Sequence, residues 1–367
     1  MSNENSNKDF STSTEVAEKK ILIAPLNWGL GHAARCIPII HFLKKNNYTP
    51  VIASDGVALS FLKTEFPDIQ TIELPSYNIS YSKYGFLLKW KLMGSFFSVY
   101  KAVKEEQRII ASIVKKENLV GIISDNRFGV INKTVPSVYI THQLNVFSGF
   151  LTFFSSKFHQ FIISKFDACW VPDSKGEHSL SGELIQINNP KVSISYLGNV
   201  SRFLFEKKKK KYDILILLSG PEPQRSMFEE LLVGELSTYK GRVLFVRGVL
   251  DSSTISSTNK NIEFVNHLQS KSLNEAINTS EIIISRSGYS TIMDLAKLNK
   301  KAFFVPTPGQ PEQEYLAKYL KQKKIAPFSK QEQFNLSDIS AIKNYSGFIN
   351  NYPTELNVEL LRVFKKN

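Results

Sequence analysis

Cysteine is nearly absent, with Cys36 and Cys169 the two thiols in 367 residues. So distant a pair makes neither a disulfide framework nor a metal-ligand spacing, and the chain reads as a protein of a reducing compartment with both thiols in its core. No run of about 18 apolar residues is present, which leaves no candidate for a bilayer-spanning helix. Residues 1–20 are polar, rich in Ser and Asn, and lack the apolar stretch of a secretory signal; residues 1–19 are expected to form a disordered tail. Zinc-finger spacing, an RNA-binding aromatic motif and an Arg-dense arm are all missing, so nucleic acid is not an expected partner despite a net charge of +13. What remains open to that charge is a phosphorylated ligand, an anionic lipid surface, or an ordinary Lys-rich exterior.

Hydrophobic residues make up 42% of the chain, enough for well-buried cores, and the length exceeds what one core usually organises. Residues 20–26 (KILIAPL) read as a buried strand, 27–31 (NWGLG) as a glycine-bearing turn, and 32–45 as a helix. Strand signals recur at 51–54, 71–74, 120–124 and 137–140, with helical patterns between several of them, and this alternation implies a parallel sheet. A charge run at 206–211 (EKKKKK) reads as an exposed linker. After it, strand signals at 213–218, 242–246, 262–265, 281–285 and 301–305 repeat the first architecture. The expectation is α/β, with two doubly wound Rossmann-like domains, 20–205 and 212–350, facing a central cleft, and a segment 351–367 that returns to the first domain as a helix. Such domains bind ligands at the carboxyl ends of their strands.

In the second domain, EIIISRSGYSTIMDLAK (281–297) sets an apolar strand, a small-residue turn and an amphipathic helix in series. Ser287, Gly288, Ser290 and Thr291 combine hydroxyls, backbone N–H groups and a helix N-terminus, the chemistry of an anion site. Asp294 follows Gly288 by about 9 Å of helix, a reach from a pyrophosphate to ribose hydroxyls. An ordinary capped helix with a surface Asp would show the same segment. The next stretch, KAFFVPTPGQPEQEYLAK (301–318), adds a strand, a Pro-rich turn and a helix opening with Glu312, Gln313 and Glu314.

Together, Ser-Arg-Ser-Gly-x-x-Thr, Asp-Leu-Ala, Phe-x-Val-Pro-x-Pro and Gln-x-Tyr resemble the donor-binding half of glycosyltransferase family 28, of the GT-B fold. The resemblance implies that Ser287, Gly288 and Thr291 hold donor phosphates, Asp294 holds ribose where relatives commonly carry Glu, and Gln313 and Glu314 contact the transferred sugar. Ser219 and Gly220, in SGPEPQR (219–225), match in position the family's Gly-Gly-Ser-x-Gly loop. Arg225 is a candidate to neutralise the leaving group, or a surface residue.

NWGLGHAAR (27–35) is similar to the family's N-terminal Gly-x-Gly-Gly-His turn through Gly29, Gly31 and His32. His32 would face the donor across the cleft and take the acceptor hydroxyl's proton, or else cap the helix or orient the acceptor. Asp125, in SDNRFG (124–129), is the competing base or a helix cap. THQLN (141–145) resembles the family's His-Glu-Gln-Asn segment, which puts His142, Gln143 and Asn145 on the acceptor side, with a structural role open for His142. Asn199 and Arg202, in GNVSR, resemble the interdomain Gly-Asn-Pro-Val-Arg, where Arg reaches the donor.

Residues 86–103 (FLLKWKLMGSFFSVYKAV), with lysines nearby, have the composition of an interfacial helix. The helical stripe Phe147, Phe150, Leu151, Phe154, Phe158, Phe161 and Ile162 is expected to pack in the core. The whole is read as an inverting glycosyltransferase, using a nucleotide diphosphate sugar, UDP by resemblance, and no cofactor or metal. Its acceptor would be lipid-linked or a cell-surface glycan, met on the cytoplasmic side, with peripheral contact at the inner face of the membrane. A sugar-nucleotide 2-epimerase, or a non-catalytic subunit binding nucleotide-sugar or lipid, are the alternatives.

Overall fold

The computed structural model describes residues 18–77, 96–149, 152–249, 259–349 and 352–365. Most of the expected tail, and residues 86–95 of the expected interfacial helix, lie outside the described residues.

The first domain runs β1 (Lys20–Pro25), α1 (Leu30–Lys45), β2 (Thr49–Ser54), α2 (Gly56–Glu65), β3 (Thr71–Glu73), α3 (Phe96–Lys116), β4 (Leu119–Asp125), β5 (Ser137–Ile140), α4 (Thr152–Ile163), β6 (Ala168–Val171) and β7 (Ser193–Tyr196). Its seven strands are parallel, in the order β3-β2-β1-β4-β5-β6-β7. Both faces are covered, which is why β1 is apolar and buried from Ile21 to Pro25 rather than alternating. Ile21 and Ile23 pack beneath Ile37 and Ile40 of α1, while Leu22 and Ala24 meet Ile110 and Ile113 of α3 on the other face. Full burial of one such branched side chain contributes about 1.5–3 kcal/mol.

The second domain comprises β8 (Tyr212–Leu217), α5 (Gln224–Glu235), β9 (Val243–Val246), β10 (Ile262–Val265), α6 (Ser270–Thr279), β11 (Ser280–Ser285), α7 (Tyr289–Lys297), β12 (Lys301–Phe304) and α8 (Pro311–Gln322). Its five parallel strands run β10-β9-β8-β11-β12. Ile214 and Ile216 pack on Phe228 and Leu232 of α5, and Leu215 and Ile283 on Ile292 and Leu295 of α7. Strand order reverses between β1 and β4 in one sheet and between β8 and β11 in the other, so each sheet opens a crevice at the carboxyl ends of those strands.

Two crossings join the domains. The basic run is exposed, yet Lys210 Nζ reaches the carbonyls of Asn278 and Ser280 at 3.2 and 2.8 Å. At the far end, Asn199 N–H donates to Pro353 O at 2.8 Å and Glu355 N–H to Leu197 O at 2.7 Å. The returning segment Val358–Lys365 is a 3-10 stretch rather than an α-helix. It lays Leu360, Leu361 and Phe364 on the first domain's core. Gly121 in β4 makes room for it, since a Cβ there would stand 2.2 Å from the Phe364 ring.

The aromatic stripe around α4 departs from expectation. Ser156, His159, Ile162 and Ile163 form the inward face, Phe147 is half-buried, and Phe153, Phe154, Phe158 and Phe161 project outward. The helix therefore buries a small polar face beside its isoleucines. Periodicity alone marked a stripe, and the sequence did not say which side of it meets the sheet. Phe150 and Leu151 lie outside the described residues.

Candidate active site

The turn between β1 and α1 is held rigidly. Asn27 Nδ2 donates to Asp55 Oδ2 at 3.1 Å, and Asn27 Oδ1 accepts from Ala58 N–H at 3.2 Å. Gly29, the residue before α1, takes φ of 81°, a left-handed conformation that glycine adopts without strain. Gly31 closes the approach between domains: a Cβ there would fall 2.5 Å from Ser290 Oγ in the first turn of α7. The start of α1 in the first domain thus meets the start of α7 in the second.

His32, on the first turn of α1, points its Nδ1 at Asp125 Oδ1 at 2.8 Å. Asp125 ends β4 and is fully buried. Arg35, one turn along α1 from His32, clamps the same carboxylate, with Nε 2.5 Å from Oδ2 and Nη2 on Oδ1. Arg35 Nη2 also stands 2.7 Å from His32 Nδ1, and Nη1 lies 2.8 Å from His142 Nδ1. Burial works to raise the Asp125 carboxyl. Arg35, His32 and the hydrogen bonds of both outweigh it and hold the group well below the usual carboxylate range. Burial, aided by the Arg35 guanidinium, lowers the His32 imidazole from its ordinary 6.5, so the ring is neutral near pH 7. Every hydrogen bond of His32 among the described residues runs through Nδ1. Both cysteines are buried, Cys36 with Sγ 3.8 Å from Asp125.

The network continues into the second domain. Glu312, in the first turn of α8, faces His142 Nε2 at 3.0 Å through Oε1 and accepts from Gln143 Nε2 through Oε2. The His142 ring stacks on Tyr289 at 4.0 Å between centroids, and the Tyr289 hydroxyl donates to Pro172 O. Sequence reasoning gave a site role to His142 and Gln143 but to neither Arg35 nor Glu312. Arg35 carried a usable signal, since three residues from His32 on a helix is adjacency.

On the donor side, Gly288 precedes α7, whose first turn has no side-chain cap and no acidic residue. Ser290 and Thr291 are half-buried there, while Ser287 is fully buried and donates through Oγ to Gln313 O at 2.8 Å. Ser219 and Gly220 are exposed at the end of β8, Gly220 with φ of 105°. Asp294 accepts from Ser201 Oγ at 2.6 Å. Burial raises its carboxyl to about 6 against the opposing pull of Arg202. Arg202 lies against Phe61 and Phe203, with centroids 5.3 and 4.6 Å from the guanidinium carbon, and among the described residues its buried Nε has no hydrogen-bond partner.

Several expected contacts are otherwise engaged. Arg225 is buried and ion-paired, Nε to Glu222 Oε1 and Nη1 to Glu229 Oε2, both at 2.6 Å, and so does not present its charge to the cleft. Gln313 Oε1 accepts from Thr307 N–H at 2.8 Å and Glu314 Oε1 from Gly309 N–H at 3.2 Å, so both close the Pro-rich turn onto α8. Of Glu312, Gln313 and Glu314, the one bonded to the first domain is Glu312, about 100° around the axis from Gln313. Asn145 donates through Nδ2 to Glu183 O and Gln186 O at 2.8 and 2.7 Å and lines a separate cavity of about 660 Å³. Among the described residues no group of three His, Cys, Asp or Glu side chains is placed to hold a metal ion.

Residues 248–343, which include α7 and α8, match the glycosyltransferase family 28 C-terminal domain. Through this domain the chain resembles the family 28 glycosyltransferases. An uncharacterized glycosyltransferase of Methanosarcina mazei is 21% identical over 332 residues, covering 83% of this chain and 84% of that one. A UDP-N-acetylglucosamine–N-acetylmuramyl-(pentapeptide) pyrophosphoryl-undecaprenol N-acetylglucosamine transferase of Mannheimia succiniciproducens is 24% identical over 251 residues, 66% of this chain and 68% of the relative. Among solved structures, the glycosyltransferase shares its fold with the Acinetobacter baumannii MurG at TM-score 0.58 and 12% identity, covering 95% of this chain and 100% of that one. The spinosyn rhamnosyltransferase SpnG superposes at TM-score 0.65 with 13% identity over the same shares. The fold is the two-domain GT-B arrangement that the resemblance implied, built from the parallel sheets that the alternating strands and helices led one to expect.

Proposed function

We propose that this glycosyltransferase moves a hexose or N-acetylhexosamine, with inversion, from a nucleotide diphosphate sugar, UDP in the first instance, to a hydroxyl of a lipid-linked or cell-surface glycan on the cytoplasmic side. The observation that carries the reading is His32. It is a neutral imidazole with Nδ1 turned to a buried carboxylate and, among the described residues, no bond on Nε2, set where the first turns of α1 and α7 meet.

With Arg35 Nη2 donating to Asp125 Oδ1 rather than to the ring, Nδ1 donates the ring proton to the ionised carboxylate and Nε2 keeps its lone pair. The acceptor oxygen attacks the anomeric carbon while its proton passes to Nε2. The bond from that carbon to the diphosphate oxygen breaks, and the nucleoside diphosphate leaves with the electron pair. Asp125 stabilises the imidazolium so formed and is itself an orienting group, because both its oxygens are occupied by His32 and Arg35. On the donor side, the uncapped first turn of α7, with Ser219, Gly220 and Thr291, would meet the phosphates, and Asp294 the ribose. Arg202 supplies a buried positive charge beside Asp294. No metal is needed for the departure in this reading.

The experiment is turnover and donor binding over a panel of UDP-, GDP- and TDP-sugars with the His32→Ala variant. Loss of transfer by about 10²–10⁴ with an unchanged donor Kd is the expected result for a general base. Undiminished turnover in that variant would remove His32 from the chemistry.

A further inference from the structure

The first domain buries a guanidinium that the transfer chemistry leaves unused. Arg127, two residues past Asp125, is fully buried. Its Nε donates to Glu106 Oε1 of α3 and its Nη1 to Asp55 Oδ1, just past β2, both at 2.5 Å, while Nη2 donates to Pro75 O at 2.6 Å. Glu106 Oε2 in turn accepts from the Tyr77 hydroxyl at 2.5 Å and from Gly129 N–H at 3.1 Å. Buried charges of this kind add little stability, because desolvation consumes most of what their attraction returns. What a planar, multiply bonded guanidinium does supply is direction.

That direction leads to the candidate base. Asp55 stands at the N-cap position of α2, where an Asp ordinarily accepts from the helix's own N–H groups, yet it makes no such bond. Its Oδ1 is held by Arg127 and its Oδ2 by Asn27 Nδ2. Asn27, from the turn between β1 and α1, caps α2 in its place, Oδ1 accepting from Ala58 N–H at 3.2 Å. Gly56 leaves the room for this exchange, since a Cβ there would stand 2.4 Å from Asn27 Nδ2. On the other side, Arg127 O accepts from the buried Ser124 Oγ at 2.6 Å, which closes the bend containing Asp125 and Asn126, and Asp125 O accepts from Leu26 N–H at 2.9 Å. We propose that Arg127 is a positioning residue for the pair His32 and Asp125. Through Asp55 and Asn27 it sets the turn that leads into His32, and through its main chain it sets the end of β4 that carries Asp125. The role rests on the reading of His32 as the base, whose signature is a ring proton on Nδ1.

The test is nitrogen-15 spectroscopy of the histidine rings in the full chain, with the His32 signal identified by its loss in His32→Gln. At about pH 7.5, where the imidazole is neutral, the wild type should show the Nδ1–H form alone. Asn27→Ala leaves the buried cluster whole and cuts its link to the turn. A second signal, from the Nε2–H form, should then appear, and kcat over the sugar panel above should fall about ten- to a hundredfold at an unchanged donor KM. Arg127→Lys keeps a cation without the fork and should show the same signature. Tyr77→Phe is the control, because it keeps the ring beside Arg127 and removes the hydroxyl bonded to Glu106 and Phe128 N–H, a branch that does not reach Asp55. It should lower the thermal midpoint and leave the His32 signal as in the wild type. A wild-type ring protonated on Nε2 would remove the base reading and this role with it. A wild type on Nδ1 whose signal is unchanged by Asn27→Ala, or altered as much by Tyr77→Phe, would overturn the positioning role alone, and those two variants decide it even where Arg127→Lys does not fold.

Discussion

Glu312 and His142 belong to different domains and meet through Oε1 and Nε2 at 3.0 Å. That contact joins the donor half to Arg35, Asp125 and His32 through a continuous chain of polar contacts. Burial works to raise the Glu312 carboxyl, and His142, His32 and Arg35 together lower it, so the group is anionic at neutral pH.

Glu312→Gln keeps the shape and removes the charge from this contact. A hydrogen bond to a charged group contributes about 1.5–3 kcal/mol, so kcat/KM should fall roughly ten- to hundredfold while the thermal midpoint moves little. Steady-state kinetics beside a melting curve checks both. An unchanged kcat/KM would mean that the domains register without this residue.

Gly31 makes a steric prediction. The Cβ of Gly31→Ala would enter within 2.5 Å of Ser290 Oγ and 3.2 Å of Ser290 Cβ. The domains must then part slightly, a strain of about 1–3 kcal/mol by analogy with overpacked cores. Turnover should drop while each domain keeps its fold. Ser290→Gly in the same chain removes both clashing atoms and should restore much of the rate; a double variant as slow as the single would exclude the steric explanation.

Acid should act through the dyad in a definite direction. The folded Asp125 carboxyl lies below its unfolded value, so its contribution to stability is complete above the unfolded pKa and is lost as pH falls below about 4. His32, lowered from 6.5, adds a cost that begins as pH drops below that value, since the unfolded imidazole then binds the proton more readily. Urea unfolding from neutral to acid pH should show stability declining from about 6.5 downward. His32→Gln should flatten the upper part of that decline.

The second sheet, and β1 to β5 of the first, were legible because each carries an apolar run between turns, as Ile21 to Ala24 shows, whereas β6 and β7 were not read from the sequence. Gly29, Gly31 and His32 were legible because a glycine turn into a helix is a local pattern. What stayed hidden depends on directions that spacing does not carry. Glu312, Gln313 and Glu314 are consecutive, and the start of α8 at Pro311 decides which of them faces the first domain. Arg225 looked available beside two prolines, but its acids Glu222 and Glu229 lie one helical turn to either side and take it inward. The phenylalanines of α4 show the same limit, since a stripe has two possible sides.

Arg225→Ala follows from that correction. With the guanidinium removed, Glu229 keeps Arg247, at 3.0 Å, so a buried carboxylate loses one of its cations. Destabilisation of about 1–3 kcal/mol is expected, with donor Kd within about threefold of wild type. Chemical denaturation and nucleotide titration separate this from a residue that touches the diphosphate, for which the Kd would rise first.

Asp294 offers a second pH test, at the donor. Its carboxyl is raised to about 6 by burial, with Arg202 and Ser201 opposing. Folding therefore favours the protonated form, and the cost of ionising it grows as pH rises from the unfolded value of about 3.9 toward 6. If the carboxylate accepts from ribose hydroxyls, the donor Kd should increase as pH falls through about 6, where the acceptor charge is lost. Asp294→Asn should bind more weakly at pH 7 and lose that pH dependence. A wild-type Kd that is level across this range, with Asp294→Asn unchanged, would leave Asp294 its hydrogen bond to Ser201 alone and the ribose to another residue.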